Sequence, residues 1–401
     1  MLDPKVFKAY DVRGLYPSEL DEEGGYRIAR AYVEHFEPRT VAIGRDMRLA
    51  APAMAAAAIE GAADGGADVL DIGLVGTEML YYAVGELALE GGICVTASHN
   101  PPDYTGMKIV RRGALPVGGD SGLADVRGRA LEDFGAVEKR GEVAVKDVWA
   151  GFVEKVLSFV DAGAIRPLRV VVDAANGMAG AMLTPVLERL PQLDVGRCYF
   201  EPDGSFPNHQ PNPLLPENRE FIVRKTREES ADLGVAYDGD ADRCFFVDDT
   251  GEFVPGDFVT ALLAESMLEK EPGAKVIYDV RASWAVPRTI EDAGGVPLVN
   301  RVGHAYIKHR MRQEQAAFAG EVSAHYYFRD FSQADSGVVP FLLMLELLSR
   351  RGRRLSEILA PYRDRYFLTG EINSPVADVA LKLQELKEHY AAEGGKISHL
   401  D

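Results

Sequence analysis

The chain has little cysteine, no long apolar run and a shortage of basic charge, and each lack argues against a class of function. Its three cysteines, Cys94, Cys198 and Cys244, lie far apart with no paired metal-ligand spacing, which leaves reduced thiols as the natural reading. No apolar stretch approaches the roughly 20 residues of a membrane span. The N-terminus, with Asp3 and an early Lys-Ala-Tyr-Asp run, does not read as a signal peptide, so a cytoplasmic protein with no membrane partner is expected. Lys and Arg number 44 against 62 Asp and Glu, a net charge of −18, and the basic face that nucleic acid requires is not advertised. Any phosphate bound here must meet locally gathered Arg and Lys. Around Ser98 there is no Gly-x-Ser-x-Gly, so acyl transfer from a nucleophile elbow is poorly supported.

What is present is a soluble-type composition, 47% hydrophobic and 26% charged, over 401 residues, enough for two to four domains at roughly 100 to 200 residues each. A weak repeat runs through it. Segments 41–46, 170–176 and 275–281 each read as a strand that ends in a polar turn and enters a helix. The first continues through an Ala-rich helix, 52–63, a Gly65-Gly66 stop and a strand at 67–71; the third follows the same plan through 284–293, Gly294-Gly295 and 296–299. This βαβ grammar predicts three related α/β domains with mixed, mostly parallel sheets around a central cleft. The expected boundaries are 1–148, 149–252 and 253–365, with 366–401 opening a fourth, α+β unit: a strand at 367–372 and an amphipathic helix at 376–390.

Three short runs carry the chemistry. Val95-Thr-Ala-Ser-His-Asn-Pro-Pro102 follows an apolar strand, and its Asn and prolines force a turn that places the Ser98 hydroxyl at a strand mouth. Alone, it is equally an ordinary turn. Asp238, Asp240 and Asp242 alternate after the strand-like 233–237, and alternation in an extended segment turns three carboxylates to one side. A calcium EF-hand is excluded because Arg243 holds the obligatory glycine's place; Mg²⁺ sharing its coordination with a phosphate oxygen suits the set better, a solvated acidic turn being the bland alternative. Glu321, Ser323 and His325 alternate likewise and suit vicinal sugar hydroxyls, although His325 alone would also read as a packed structural histidine.

Taken in order, Thr96–Pro101 with the following 104–108, Asp238-Gly-Asp-Ala-Asp-Arg243 and Gly320-Glu-Val-Ser-Ala-His-Tyr-Tyr327 resemble the phosphoserine, metal and sugar loops of the α-D-phosphohexomutases. The Pro-Pro-Asp-Tyr after Asn100 and the Tyr-Tyr-Phe after His325 are most similar to the phosphomannomutase/phosphoglucomutase branch. The resemblance implies that Ser98 carries the transferable phosphate, bridged by Mg²⁺ to Asp238, Asp240 and Asp242. It places Lys108 beside the transferring group as acid/base assistant or charge stabiliser; from its own position Arg243 would hold a phosphoryl oxygen or balance the aspartates, and His99 would be an aromatic wedge, hydrogen-bond donor or base within the loop. It assigns Glu321, Ser323 and His325 to the sugar hydroxyls, and Tyr10, Arg13, Arg301, His304 and Lys308 to the same substrate. The implied reaction interconverts hexose 1- and 6-phosphates of mannose or glucose through glucose or mannose 1,6-bisphosphate. Phosphoglucosamine mutase and a non-catalytic sugar-phosphate binding protein are the alternatives. The family's Arg-x-Ser-(Asn or Gly)-Thr phosphate loop is not found, since Arg281-Ala-Ser283 runs into Trp284, so the C-terminal unit is expected to be truncated.

Overall fold

A computed structural model describes residues 2–400, except 138, 371, 373, 398 and 399 and the Asp120 side chain. The three expected repeats form three mixed sheets, each parallel at one end and antiparallel at the other. In the first, Thr40–Arg45 pairs in parallel with Asp68–Leu74 and Gly91–Val95, while Tyr104–Arg111 joins Gly91–Val95 antiparallel and carries Val12–Leu15 on its far side. The second centres on Arg169–Asp173, parallel to Asp194–Cys198 and Leu233–Tyr237, and the third on Lys275–Asp279, parallel to Val296–Asn300 and Phe318–Gly320. Gly91–Val95 and Leu233–Tyr237 are buried throughout, as strands covered on both faces should be, so their polar residues collect just past their C-terminal ends. There the turns before Tyr104–Arg111 and Cys244–Val247 return the chain antiparallel.

Phe253–Val254 pairs with Cys244–Val247 as the edge of the second sheet, and the third unit starts with the helix Gly256–Lys270. One hydrophobic core is shared by all three units, running from Val84 and Phe152 through Val172 and Phe246 to Phe328 and Leu343. The helix Val338–Arg351 is buried over its first three turns because it lies between units, where Glu346 takes Lys270 Nζ at 2.7 Å and the Asp161 N–H at 3.1 Å. With Arg350 donating to it as well, this buried carboxylate is satisfied and orders its partners.

Past the helix Leu355–Arg365, residues 366–370 and 372 form no strand, and the rest of the strand expected at 367–372 lies outside the described residues. The expected helix is Val379–Ala392, starting where Asp378 caps it by accepting the Leu381 N–H at 3.0 Å. Among the described residues, no helix is long and apolar enough to cross a membrane.

Candidate active site

The strand Gly91–Val95 ends one residue before Thr96, whose Oγ1 accepts the Ser98 N–H at 2.9 Å. Ser98 has a φ of 48°, a left-handed conformation that a non-glycine residue holds only when its surroundings fix it. Two arginines do so. Arg13 Nη1 donates to Ala97 O at 2.5 Å and to Asn100 Oδ1 at 2.6 Å. Arg48, 1% exposed, donates from below to the carbonyls of Ser98, Asn100, Pro101 and Tyr104. The Ser98 hydroxyl then points at the second unit, donating to Asp238 Oδ2 at 3.0 Å with His99 Nδ1 at 3.1 Å. Burial, with Arg243 and Arg13 nearby, pushes His99 down to about 2, so its imidazole is neutral and a weak base.

The three aspartates converge by a different route from the one expected. Rather than alternating along an extended strand, they sit on a tight turn past Tyr237: the Ala241 N–H returns to Asp238 O at 3.2 Å and Ala241 takes a φ of 63°. An oxygen from each carboxylate lies within 4.8 Å of the others. The turn comes so close to the serine loop that a Cβ on Gly239 would stand 2.4 Å from Ser98 O.

Lys108, on Tyr104–Arg111, reaches across from the first unit to Asp240 Oδ2 at 2.7 Å and to Asp242. Burial opposes its charge, but Asp240 and Asp242 raise it well above an ordinary lysine, so it is a fixed ammonium. Thr77 Oγ1 donates to the same Asp240 oxygen at 2.5 Å. The other oxygens, Asp240 Oδ1 and Asp242 Oδ1, are buried without a hydrogen-bond partner. Burial beside Asp242 and Asp240 pushes Asp238 up to about 7. Lys108 and Arg243 set two positive charges against three carboxylates, and the two carboxylate oxygens without a hydrogen bond are the hard donors that a divalent cation such as Mg²⁺ takes. The residues fit that ion.

The third unit closes the site. Glu321, Ser323 and His325 also lie on a tight turn, with Ala324 at a φ of 65° and its N–H returned to Glu321 O at 3.0 Å. Arg243 and His325 form an isolated antiparallel bridge between the two turns, and Arg243 Nε donates to His325 Nε2 at 3.1 Å. This leaves Nδ1 to face Glu321 Oε2 at 3.3 Å and Ser323 Oγ at 3.1 Å. Although burial works the other way, His325 and the Tyr327 hydroxyl hold Glu321 down to about 2, an anion that fixes the ring. Tyr10, Arg13, Ser98, His99, Lys108, Asp242, Arg243, His304 and His325 line one cavity of about 250 Å³. Of the residues assigned to sugar, Glu321 and Ser323 lie behind His325 rather than on that wall.

Two expected substrate contacts are elsewhere. Lys308 is fully buried, 2.6 Å from Asp335 and 4.0 Å from the centre of the Tyr81 ring, because the helix His304–Glu314 turns it into the interior. It holds the interface instead of substrate. Arg301 lies over the Tyr306 ring in a larger neighbouring cavity of about 710 Å³, which shares only Tyr10 with the serine cavity. The chemistry follows the smaller cavity, where the nucleophile and the carboxylates are. Arg48, Thr77 and Asp335 were not found from the sequence; each carries out its role through a contact distant along the chain, and no local pattern marks it.

Models described as phosphoglucomutase/phosphomannomutase, alpha/beta/alpha domains I, II and III match residues 4–127, 150–251 and 255–366. The chain is 43% identical to a phosphomannomutase of Salmonella montevideo over 98% of its own length and 88% of the relative's. It is also 43% identical to phosphohexose mutases of Xanthomonas campestris pv. campestris, over 99% of this chain and 88% of the relative. A crystal structure of a phosphoglucomutase/phosphomannomutase family protein from Burkholderia thailandensis superposes with a TM-score of 0.81 at 35% identity, covering 87% of this chain and 78% of that one.

Proposed function

Since the chain belongs to the phosphoglucomutase/phosphomannomutase family, we propose that it is a phosphohexomutase that moves phosphate between the 1- and 6-hydroxyls of mannose or glucose by way of Ser98. The observation that carries the reading is the buried Ser98 hydroxyl, held 3.0 Å from the first carboxylate of a three-aspartate turn with the Lys108 ammonium across it. In the forward half-reaction a sugar hydroxyl attacks phosphorus on phosphorylated Ser98. The P–O bond to the sugar forms, the P–O bond to Oγ breaks, and overall one proton passes from the sugar hydroxyl to Oγ. The hexose 1,6-bisphosphate then turns in the cleft and returns its other phosphate to Ser98.

Arg243 and Lys108 supply fixed positive charge to the phosphoryl oxygens, which suits a reaction in which positioning and charge stabilisation do most of the catalysis. We take Lys108 as charge stabiliser rather than acid/base assistant, since its ammonium is paired with Asp240 and Asp242, which raise it above an ordinary lysine. Mg²⁺ on Asp238, Asp240 and Asp242 would offset the phosphoseryl dianion and polarise phosphorus. Tyr10, Arg13 and His304 line the sugar's entry, and Glu321 with Ser323 orients His325 toward it. We further take 1–148, 149–254 and 255–365 as the domain division, the second limit set by the strand Phe253–Val254.

Intact mass tests the reading. After exposure to glucose 1,6-bisphosphate the chain should gain one phosphate and lose it to unlabelled glucose 6-phosphate, and Ser98→Ala should do neither while still binding the sugar phosphate. Undiminished mutase turnover in Ser98→Ala would sink it.

A further inference from the structure

Both terminal nitrogens of Arg48 are spent on the serine loop. Nη2 donates to Ser98 O and to Asn100 O, each at 2.7 Å; Nη1 donates to Pro101 O at 2.7 Å and to Tyr104 O at 3.1 Å. Nε faces Asp46 Oδ2 at 3.4 Å, and Asp46 Oδ1 accepts the Arg48 backbone N–H at 2.9 Å, so the carboxylate holds the arginine as the arginine holds the loop. The side chain is 1% exposed and does not line the serine cavity. It lies behind the loop, between it and the second unit, whose Phe206 ring is 5.2 Å from the guanidinium. The packing there is close: a Cβ on Gly204 would stand 2.6 Å from Arg48 Cα and from Met47 O.

We infer that Arg48 is a positioning residue for phosphoryl transfer, fixing the left-handed serine loop so that Ser98 Oγ meets the aspartate turn. The inference rests on the reading of Ser98 as phosphate carrier. Four carbonyls drawn to one buried cation cannot also rotate toward the cavity, so the faces of those peptides that would repel a phosphate dianion are turned away from it. The Ser98 φ of 48° is thereby over-determined from below by Arg48 and from above by Arg13 on Ala97 O. Lysine cannot replace this arrangement, because a single ammonium has three N–H bonds on one atom, whereas the guanidinium presents a planar fork spanning several acceptors.

The test compares wild type, Arg48→Lys and Arg48→Ala. Arg48→Lys should fold and bind glucose 6-phosphate with unchanged KM, while kcat falls roughly 10- to 100-fold, the scale of a misplaced reacting group. In Arg48→Ala, guanidinium chloride well below denaturing concentration should recover part of the lost kcat and leave wild type unimproved. The amides of Ala97 to Asn100 and of Asp103 should exchange faster with deuterium in both variants than in wild type, with the strands of the first sheet, Tyr104–Arg111 included, unchanged. Wild-type kcat in Arg48→Lys overturns the inference, as does a loss of kcat accompanied by wild-type exchange in the loop. Should Arg48→Ala not fold, the lysine variant alone decides by the same two readouts. Phosphate on Ser98 in wild type separates the two claims: if it is missing after incubation with the bisphosphate, the carrier reading fails; if it is present and Arg48→Lys transfers it at wild-type rate, only Arg48 is wrong.

Discussion

Replacing Lys108 by Met tests the charge balance of the site directly. The methionine keeps most of the volume of the lysine stem but removes a buried ammonium that lies 2.7 Å from Asp240 and also pairs with Asp242. Removing one partner of a buried ion pair typically costs about 3 to 5 kcal/mol, because the other charge stays buried and unpaired. In chelator the melting temperature should therefore fall by on the order of 10 °C. Mg²⁺ should then stabilise the variant more than wild type, because in the variant the divalent ion restores the only lost counter-charge. An ion at a hundred times its Kd adds about 2.7 kcal/mol, so the gap between the two proteins should narrow as Mg²⁺ is added. Turnover should stay about 100- to 1,000-fold down even at saturating Mg²⁺, since the ion does not replace the ammonium at the phosphoryl group. Thermal melts in chelator and across a Mg²⁺ titration measure the effect. Equal melting temperatures in chelator, or a gap that Mg²⁺ leaves untouched, would refute the reasoning.

Gly239→Ala should lower kcat roughly 10- to 100-fold with little change in KM, because its Cβ would stand 2.4 Å from Ser98 O and must push the serine loop off the aspartate turn; steady-state kinetics with glucose 1-phosphate give the split. Asp240→Asn withdraws a carboxylate whose Oδ1 has no hydrogen-bond partner, and calorimetry should show clearly weaker Mg²⁺ binding; unchanged affinity would remove this turn as the metal site. His209 lies 2.9 Å from Asp173 and 3.0 Å from the Gln210 carbonyl, and although burial opposes its charge, the Asp173 hydrogen bond and charge raise its pKa. A raised histidine contributes stability that is complete below its unfolded pKa of about 6.5 and is lost as pH climbs through the folded value. His209→Gln should therefore melt below wild type at about pH 6 and approach it by about pH 9; a gap that widens with pH would contradict the assignment.

The sequence discloses most of the fold because each unit repeats one local plan. The helices expected at 52–63 and 284–293 and the strands before them appear within a residue or two as Ala51–Asp64, Ala285–Asp292, Thr40–Arg45 and Lys275–Asp279. Phe253–Val254 was not legible, since two residues carry no periodicity and only their pairing with Phe246 and Val247 makes them a strand. The Ser98, Asp238–Asp242 and Glu321–His325 runs stand out in the sequence as candidates because the polar groups of each are neighbours in the chain. Lys308 was misjudged for the opposite reason. A lysine one turn from His304 reads as a second substrate contact, and nothing local reveals that Asp335 and the Tyr81 ring lie beside it in the interior.

The two alternating triplets converge correctly for a reason that alternation does not contain. Alternation along a strand would spread Asp238 to Asp242 over about 13 Å; the turns instead fold each triplet back on its first carbonyl, with Ala241 and Ala324 both left-handed at the fourth position. The left-handed residue sets the chain antiparallel just beyond it, and this lets Arg243 and His325 pair across the interface and bring Asp242, Arg243 and His325 to one cavity. Each unit thus delivers its polar groups from a turn at the end of a buried strand, and the serine loop, with Ser98 left-handed, is the third instance. A site made where three such turns meet depends on how the units pack more than on any one loop. That dependence explains why the contacts between units, Lys108 to Asp240, Arg243 to His325 and Thr77 to Asp240, are buried or partly buried hydrogen-bonded contacts, several of them charged, rather than exposed surface pairs.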